Sequence, residues 1–344
     1  MSVPPSFLSQ AQHLLSSAQK IVVTNHLNPD GDAMGSALAA AALLRHQGKE
    51  ATVIVPNRYA ANLHWIKGNE EVIRFEETPE KARAILREAQ LTLHLDYNAL
   101  YRSGPLEEDL QNLEVPRIVI DHHRQPEHFA EALYSDHEMS STCEMVYHWA
   151  LAMGWERYLD RDIGEALYAG IATDTGNFRF SSTRPKTHQA VAHLLTVGVR
   201  PHVVASRIYD SNRPERFKLL GRALDNMRLL ENRHAVILYL SEKDLMEIPF
   251  EKGDTEGFVN YGLSLAGIEF SAFCYPWEGR VKMSFRSKSD FDVNQFARQN
   301  FQGGGHFNAA GGISDLSLDE TIDKIETALQ AHAQTLQHLP NFEE

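Results

Sequence analysis

Apolar and polar positions follow two different periods along the first half of the chain. Ile21-Val22-Val23-Thr24, Ala51 to Val55, Leu91 to Leu95 and Arg117 to Ile120 are short, nearly continuous apolar runs. Runs of this length and kind form strands buried on both faces. Between the first two, Ala33 to Gln47 is rich in Ala and Leu, and Gly48 stands where a helix stops. Helical patterns return from Ser141 to Met153 and from Asp162 to Ile171. This alternation predicts a parallel sheet with helices on its faces.

From Pro185 to Leu230 the pattern is helical, with Pro185, Pro201 and Pro214 each at a helix start. Beyond it the character changes. Ala235 to Leu240, Glu269 to Tyr275 and Val281 to Phe285 read as strands, and Phe291 to Phe301 and Leu318 to His332 as helices. The expected fold is therefore α/β in two domains. A parallel-sheet domain spans residues 1–184, a helical connector 185–230, and a smaller α/β domain 231–344. A chain of 344 residues is long enough for both to bury a core.

Acidic residues and histidines gather where the apolar runs end. The first run leads into His26, Asp30 and Asp32; another ends at Asp96; a third ends in Asp121-His122-His123; the last helix of the series runs into Asp174. Ligands of open α/β sheets bind outside the carboxyl ends of the strands. Each residue alone has an ordinary explanation: Asp32 as a helix N-cap, Pro29-Asp30-Gly31 as a turn, the histidines as surface groups. Those explanations must all hold at four places at once.

Two imidazoles and four carboxylates are too many ligands for one catalytic zinc, which takes three from the protein. Four clustered carboxylates repel one another unless cations neutralise them. Two divalent ions roughly 3.5–4 Å apart, sharing one carboxylate, satisfy the set. Imidazole and carboxylate ligands without a thiolate suit manganese better than zinc or copper.

The ordered pattern His26-x-x-x-Asp30-x-Asp32-x-x-Gly35-Ser36, then Asp96, then Asp121-His122-His123, then Asp174, resembles the four motifs of the DHH phosphoesterase superfamily. The resemblance implies that His26, Asp30 and Asp96 hold one metal and that Asp32, Asp96, His122 and Asp174 hold the other, with Asp96 shared. Asp121 and His123 are the implied catalytic residues that hold no metal: Asp121 orients the histidines beside it and His123 faces the substrate phosphate. Farther on, Gly303-Gly304-Gly305-His306 is a glycine run whose N–H groups can converge on an anion, or simply a loop before a helix. Arg286, after a strand, can clamp two phosphate oxygens. These residues resemble the DHH-associated C-terminal domain of the nanoRNase and pAp-phosphatase branch. That branch implies substrate contacts at Arg286, Gly304, Gly305, His306 and also Arg102, with the substrate held in a cleft between the domains.

The charge narrows the substrate. A net charge of -13 argues against long duplex or single-stranded nucleic acid, which calls for a basic face or groove. Short oligoribonucleotides, linear dinucleotides such as pApA, and pAp remain. Attack by an activated water, without a serine or cysteine nucleophile, is the expected chemistry. An inorganic pyrophosphatase, a cyclic-dinucleotide phosphodiesterase and a non-catalytic nucleotide-binding protein are the alternatives. Two sparse cysteines, the lack of a charged-then-apolar leader, and apolar runs shorter than the roughly 20 residues a membrane span needs predict a cytoplasmic protein without a membrane partner. Whether it pairs as a homodimer is left open.

Overall fold

The structure, a computed structural model, describes residues 3–230, 234–251, 253–288, 290–305, 307–332 and 336. It divides into two compact units, Met1–Ser211 and Asn212–Glu344.

The first unit contains α1 (Pro5–Ser17), β1 (Lys20–Thr24), α2 (Gly31–His46), β2 (Glu50–Val55), β3 (Ile73–Arg74), α3 (Pro79–Glu88) and β4 (Leu91–Leu95). It continues with α4 (Glu107–Gln111), β5 (Arg117–Asp121), β6 (Ala132–Ser135), α5 (Thr142–Ala152), α6 (Arg161–Asp174), α7 (Pro185–Thr196) and α8 (Pro201–Tyr209). Its six strands pair in the order β3-β2-β1-β4-β5-β6, every pair parallel. The chain leaves β1 toward β2 on one side and returns to β4 on the other. The strand order thus switches direction between β1 and β4, the place where open α/β sheets bind ligands at the carboxyl ends of their strands.

Side chains of β1 alternate between two cores, as the strand period requires. Ile21 and Val23 join Met34, Leu43 and Trp149 on one face. Val22 joins Ile54, Tyr97 and Leu86 on the other. Burying each such aliphatic group contributes about 1.5–3 kcal/mol. Almost every residue of α2 is buried, which explains its Ala-rich, weakly amphipathic composition. It packs on α6 through small residues: a Cβ built at Gly35 would lie 2.4 Å from the Ala166 carbonyl oxygen, and one at Gly31 2.4 Å from Thr173 Oγ1. The edge strands β3 and β6 escape a reading based on apolar runs because they are two and four residues long.

The second unit contains α9 (Pro214–Asp225), β7 (Arg228–Leu230), β8 (Ala235–Tyr239), α10 (Glu242–Glu247), α11 (Phe258–Leu263), β9 (Phe270–Trp277) and β10 (Arg280–Ser287). It closes with α12 (Val293–Asn300), β11 (Gln302–Gly305), β12 (Ala309–Ser314) and α13 (Leu318–Gln330). Its sheet runs β11-β12-β10-β9-β8-β7 and is mixed, with only β8 and β9 parallel. Phe270, Phe285 and Phe296 centre one core and Phe258 and Phe273 the other. Three helices begin at Pro185, Pro201 and Pro214, as the proline spacing predicts. Two of them, α7 and α8, fall in the first unit and α9 in the second.

The glycine run differs from the loop or nest that its sequence suggests. Gly303, Gly304 and Gly305 form edge strand β11, paired with Gly312, Gly311 and Ala310 of β12. A Cβ at Gly303 would lie 2.1 Å from the Gly311 carbonyl oxygen and one at Gly305 2.5 Å from the Ala309 carbonyl oxygen, so this close pairing needs glycine on β11.

Candidate metal centre

The segment after β1 is shaped by its own polar groups. Asp30, not Asp32, is the N-cap of α2: its side chain accepts from the N–H of Asp32 and of Ala33, both at 3.0 Å. Asp32 is thereby left inside the first turn, fully buried. Asn28 adopts a left-handed φ of 59°, and its N–H donates to Asn57 Oδ1 at 2.8 Å. After β4, Asp96 is also left-handed, with φ 65°. Its N–H donates to the Ile120 carbonyl at 3.1 Å, which ties the turn to β5. Non-glycine residues in this region cluster at functional sites.

Seven of the residues singled out in the sequence converge. Ligand atoms of His26, Asp30 and Asp96 lie within 4.8 Å of one another; so do those of Asp32, His122 and Asp174, and those of Asp96, His122 and His123. His26 Nε2 is 3.2 Å from Asp96 Oδ2 and 3.9 Å from Asp30 Oδ2. His122 Nε2 is 3.3 Å from Asp174 Oδ2, 3.5 Å from Asp96 Oδ1 and 3.7 Å from Asp32 Oδ2. Asp96 thus presents one oxygen to each histidine.

The tautomers follow from the partners. His26 Nδ1 meets the Leu27 carbonyl at 2.9 Å and His122 Nδ1 the Met139 carbonyl at 3.3 Å. A carbonyl only accepts, so both Nδ1 atoms carry the proton and both Nε2 atoms face the carboxylates. Metal-binding histidines are held this way, by the ring nitrogen that does not ligate. His123 is set differently. Its Nδ1 donates to Asp121 Oδ1 at 2.7 Å, and its Nε2 accepts from Arg102 Nη2 at 2.9 Å. Asn98 Nδ2 donates to the His123 carbonyl at 2.9 Å. Sequence reading singled out both Arg102 and His123 but not the bond between them, and it missed Asn98.

The protonation pattern is that of crowded, buried carboxylates. Burial lowers the affinity of His26 for a proton, but the Asp96 hydrogen bond and the charges of Asp30 and Asp96 outweigh it, leaving the pKa at about 9. Burial lifts Asp174 to about 7, helped by Asp30 and Asp96 and opposed by His122. Asp32 is raised well above the usual range by burial and by Asp96 and Asp174. Burial also opposes the charge on Asp96, yet hydrogen bonds from His122 and His26 hold it well down. Asp121 rises to about 6 through burial. His123 is pushed well down by burial and by the Arg102 charge, which matches its neutral tautomer.

These shifts fix a pH dependence. His26 binds its proton more tightly folded than at its ordinary 6.5, so the stability it contributes is complete below that value and is lost as pH rises through about 9. Asp174 also favours the protonated form when folded, and its contribution is lost as pH rises from 3.8 through about 7. Asp96 acts in the opposite sense, but only below the ordinary carboxylate range, and His123, held down, offsets part of the loss near its ordinary 6.5. The chelator-treated protein is therefore expected to melt at progressively lower temperature from about pH 6 to about pH 9. Saturating manganese is expected to remove that decline, because cations then replace the protons. Thermal scans at several pH values, with chelator and with manganese, check this; a flat chelator profile counts against the crowded-carboxylate account.

Two groups of donors from the start of α5 also reach the cluster. Thr142 Oγ1 donates to Asp96 Oδ1 at 3.0 Å. The N–H groups of Thr142 and Cys143 donate to Asp32 Oδ2 and Oδ1 at 2.6 and 2.8 Å. Nothing in the local sequence marks Thr142 apart from its place just after the Ser141 N-cap.

The remaining expected contacts belong to the second unit. Arg286 lies on β10, half-buried, with Nη1 donating to the Phe285 carbonyl at 3.0 Å. The Gly305 N–H donates to Asn294 Oδ1 at 2.9 Å, and that oxygen also accepts from Arg298 Nε at 3.0 Å. His306 lies outside the described residues. Among the described residues no helix is long and apolar enough to cross a membrane.

The model of the DHH family N-terminal domain matches residues 20–171, and that of the DHHA1 domain matches residues 232–337. The chain is similar to the bifunctional oligoribonuclease and PAP phosphatase NrnA of Thermus thermophilus, 29% identical over 315 residues, which cover 90% of this chain and 89% of the relative. A solved structure of an exopolyphosphatase-related protein from Bacteroides fragilis superposes with a TM-score of 0.94 at 31% identity, covering 98% of this chain and 99% of that one. RecJ from Thermus thermophilus, solved in complex with Mn2+, shares the fold at a TM-score of 0.51 and 14% identity, covering 97% of this chain and 56% of that one.

Proposed function

We propose, from the premise that this chain belongs to the DHH family, that it is a metal-dependent phosphoesterase cleaving very short RNA and linear dinucleotides to mononucleotides, and pAp to AMP and phosphate. The observation that carries the reading is the carboxylate of Asp96, whose two oxygens face two histidines that are each held through Nδ1 by a backbone carbonyl. The similarity to NrnA supports the substrate class.

In this reading two divalent cations, manganese by the ligand chemistry, supply Lewis acidity and a water of lowered pKa. His26, Asp30 and Asp96 would hold one, and Asp32, Asp96, His122 and Asp174 the other. Asp121 fixes the ring of His123, which in turn accepts from Arg102. His123 and Arg102 are the proposed phosphate contacts in the first unit. Arg286, Gly304, Gly305 and His306 are the proposed contacts in the second. Proton and phosphate handling need no nucleophilic side chain: both cysteines are buried, and burial pushes both thiols up. Their unpaired state supports a reducing, cytoplasmic compartment. The acidic net charge of -13 favours short over long substrates.

The test is a substrate panel. Manganese-loaded protein is given pAp, pApA, a five-nucleotide RNA, a long RNA and pyrophosphate, and the products are quantified. Mononucleotides from pApA and short RNA, with phosphate from pAp, are the expected result. Turnover of pyrophosphate alone moves the protein to a pyrophosphatase, and no turnover at all leaves a nucleotide-binding role.

A further inference from the structure

Thr142 is the first residue of α5 and is completely buried. Its side chain and backbone face two different carboxylates that come from two other segments of the chain. The hydroxyl donates to Asp96 Oδ1 at 3.0 Å, and the N–H donates to Asp32 Oδ2 at 2.6 Å. The helix start is rigid: Ser141 caps it by accepting from the Glu144 N–H at 3.0 Å. The terminal torsion of an aspartate is broad and roughly two-fold. Asp96 therefore needs an external donor to fix how its carboxylate is rotated. On its other oxygen, Oδ2, the neighbour is His26 Nε2 at 3.2 Å. On the Oδ1 side His122 Nε2 lies at 3.5 Å and His123 Nδ1 at 3.7 Å, and the uncharged Thr142 hydroxyl, at 3.0 Å, is nearer than either.

We infer that Thr142 is a positioning residue: its hydroxyl sets the rotation of the shared Asp96 carboxylate and thereby the affinity of the centre for divalent cations. The inference rests on the reading of Asp96 as a shared metal ligand. Partners of ligating groups typically account for 10–100-fold in metal affinity. A second consequence concerns shape. Valine has nearly the outline of threonine but no hydroxyl, whereas serine keeps the hydroxyl and loses the methyl group. Packing and hydrogen bonding at this position are therefore separable.

The experiment is calorimetric titration of the metal-free full chain with manganese, for the wild type, Thr142→Val and Thr142→Ser. The expected result is an affinity about 10–100-fold weaker in Thr142→Val and close to wild type in Thr142→Ser. Wild-type affinity in Thr142→Val, or equal weakening in both variants, overturns the inference, since either outcome assigns the residue to packing. If Thr142→Val does not fold, Thr142→Ala takes its place with the same criteria. A wild-type chain that binds no manganese overturns the metal reading itself, and the inference with it. That outcome is distinct from the others because it appears before any variant is compared.

Discussion

Replacing Asp96 with asparagine is expected to lower turnover of pApA at least about a thousandfold while leaving the fold in place. The size follows from what the carboxylate does. Its two oxygens lie 3.2 Å and 3.5 Å from the Nε2 atoms of His26 and His122. As a shared ligand it would serve both cations, and each contributes several kcal/mol of charge stabilisation. A loss of about 4 kcal/mol is a thousandfold in rate. Asparagine is the informative replacement because residue 96 sits at φ 65°. Asparagine tolerates that conformation, whereas alanine adds about 1–2 kcal/mol of backbone strain and confuses stability with chemistry. The assay is steady-state hydrolysis in saturating manganese, with far-ultraviolet circular dichroism as the control for folding. Activity within about tenfold of wild type in Asp96→Asn would falsify the shared-ligand role.

The second large effect is structural. A Cβ built at Gly170 on α6 lies 2.2 Å from Cys143 Sγ, 2.7 Å from Asp32 Oδ1 and 2.9 Å from Asp32 Cα. Gly170→Ala must therefore push α6 away from both α2 and α5. Overpacking of this kind costs about 1–3 kcal/mol. At the upper end, melting is expected to fall by about 6–12 °C, taking 2–4 °C per kcal/mol for a unit of this size. The sign is what makes the measurement sharp. Alanine is the better helix former by about 1 kcal/mol, so without the close contact the variant would be more stable than the wild type. Manganese affinity is expected to fall as well, because the residue displaced is Asp32. A melting temperature equal to or above wild type, measured in chelator, sinks the packing argument.

Much of this centre is legible in the sequence, and the illegible part has a common cause. β1, β4 and β5 are buried on both faces, so each is written as a continuous apolar run, and the chemistry stands at its carboxyl end. His26, Asp96 and His122 could be placed on one rim from that rule alone. The assignment of caps could not: Asp30 and Asp32 are both acidic and both precede an apolar helix, and only the backbone shows that Asp30 takes the N–H groups. Thr142 and Asn98 were invisible because their partners lie 46 and 25 residues away. That the glycine run lies in a strand was hidden for a related reason. Glycine has low strand propensity, and β11 is a strand by virtue of its pairing with β12 across the ladder.

The order of the proposed ligands along the chain has a consequence for biosynthesis. His26, Asp30 and Asp96 are all present once the first four strands have been made, but Asp174 is the last residue of α6. Chains emerge at about 5–20 residues per second. For several seconds a nascent polypeptide carries one complete trio and only part of the other. Thr142 and Asp174, which completes the second trio, are both made after β5 and β6. The second trio is complete only once the ribosome has delivered the end of α6.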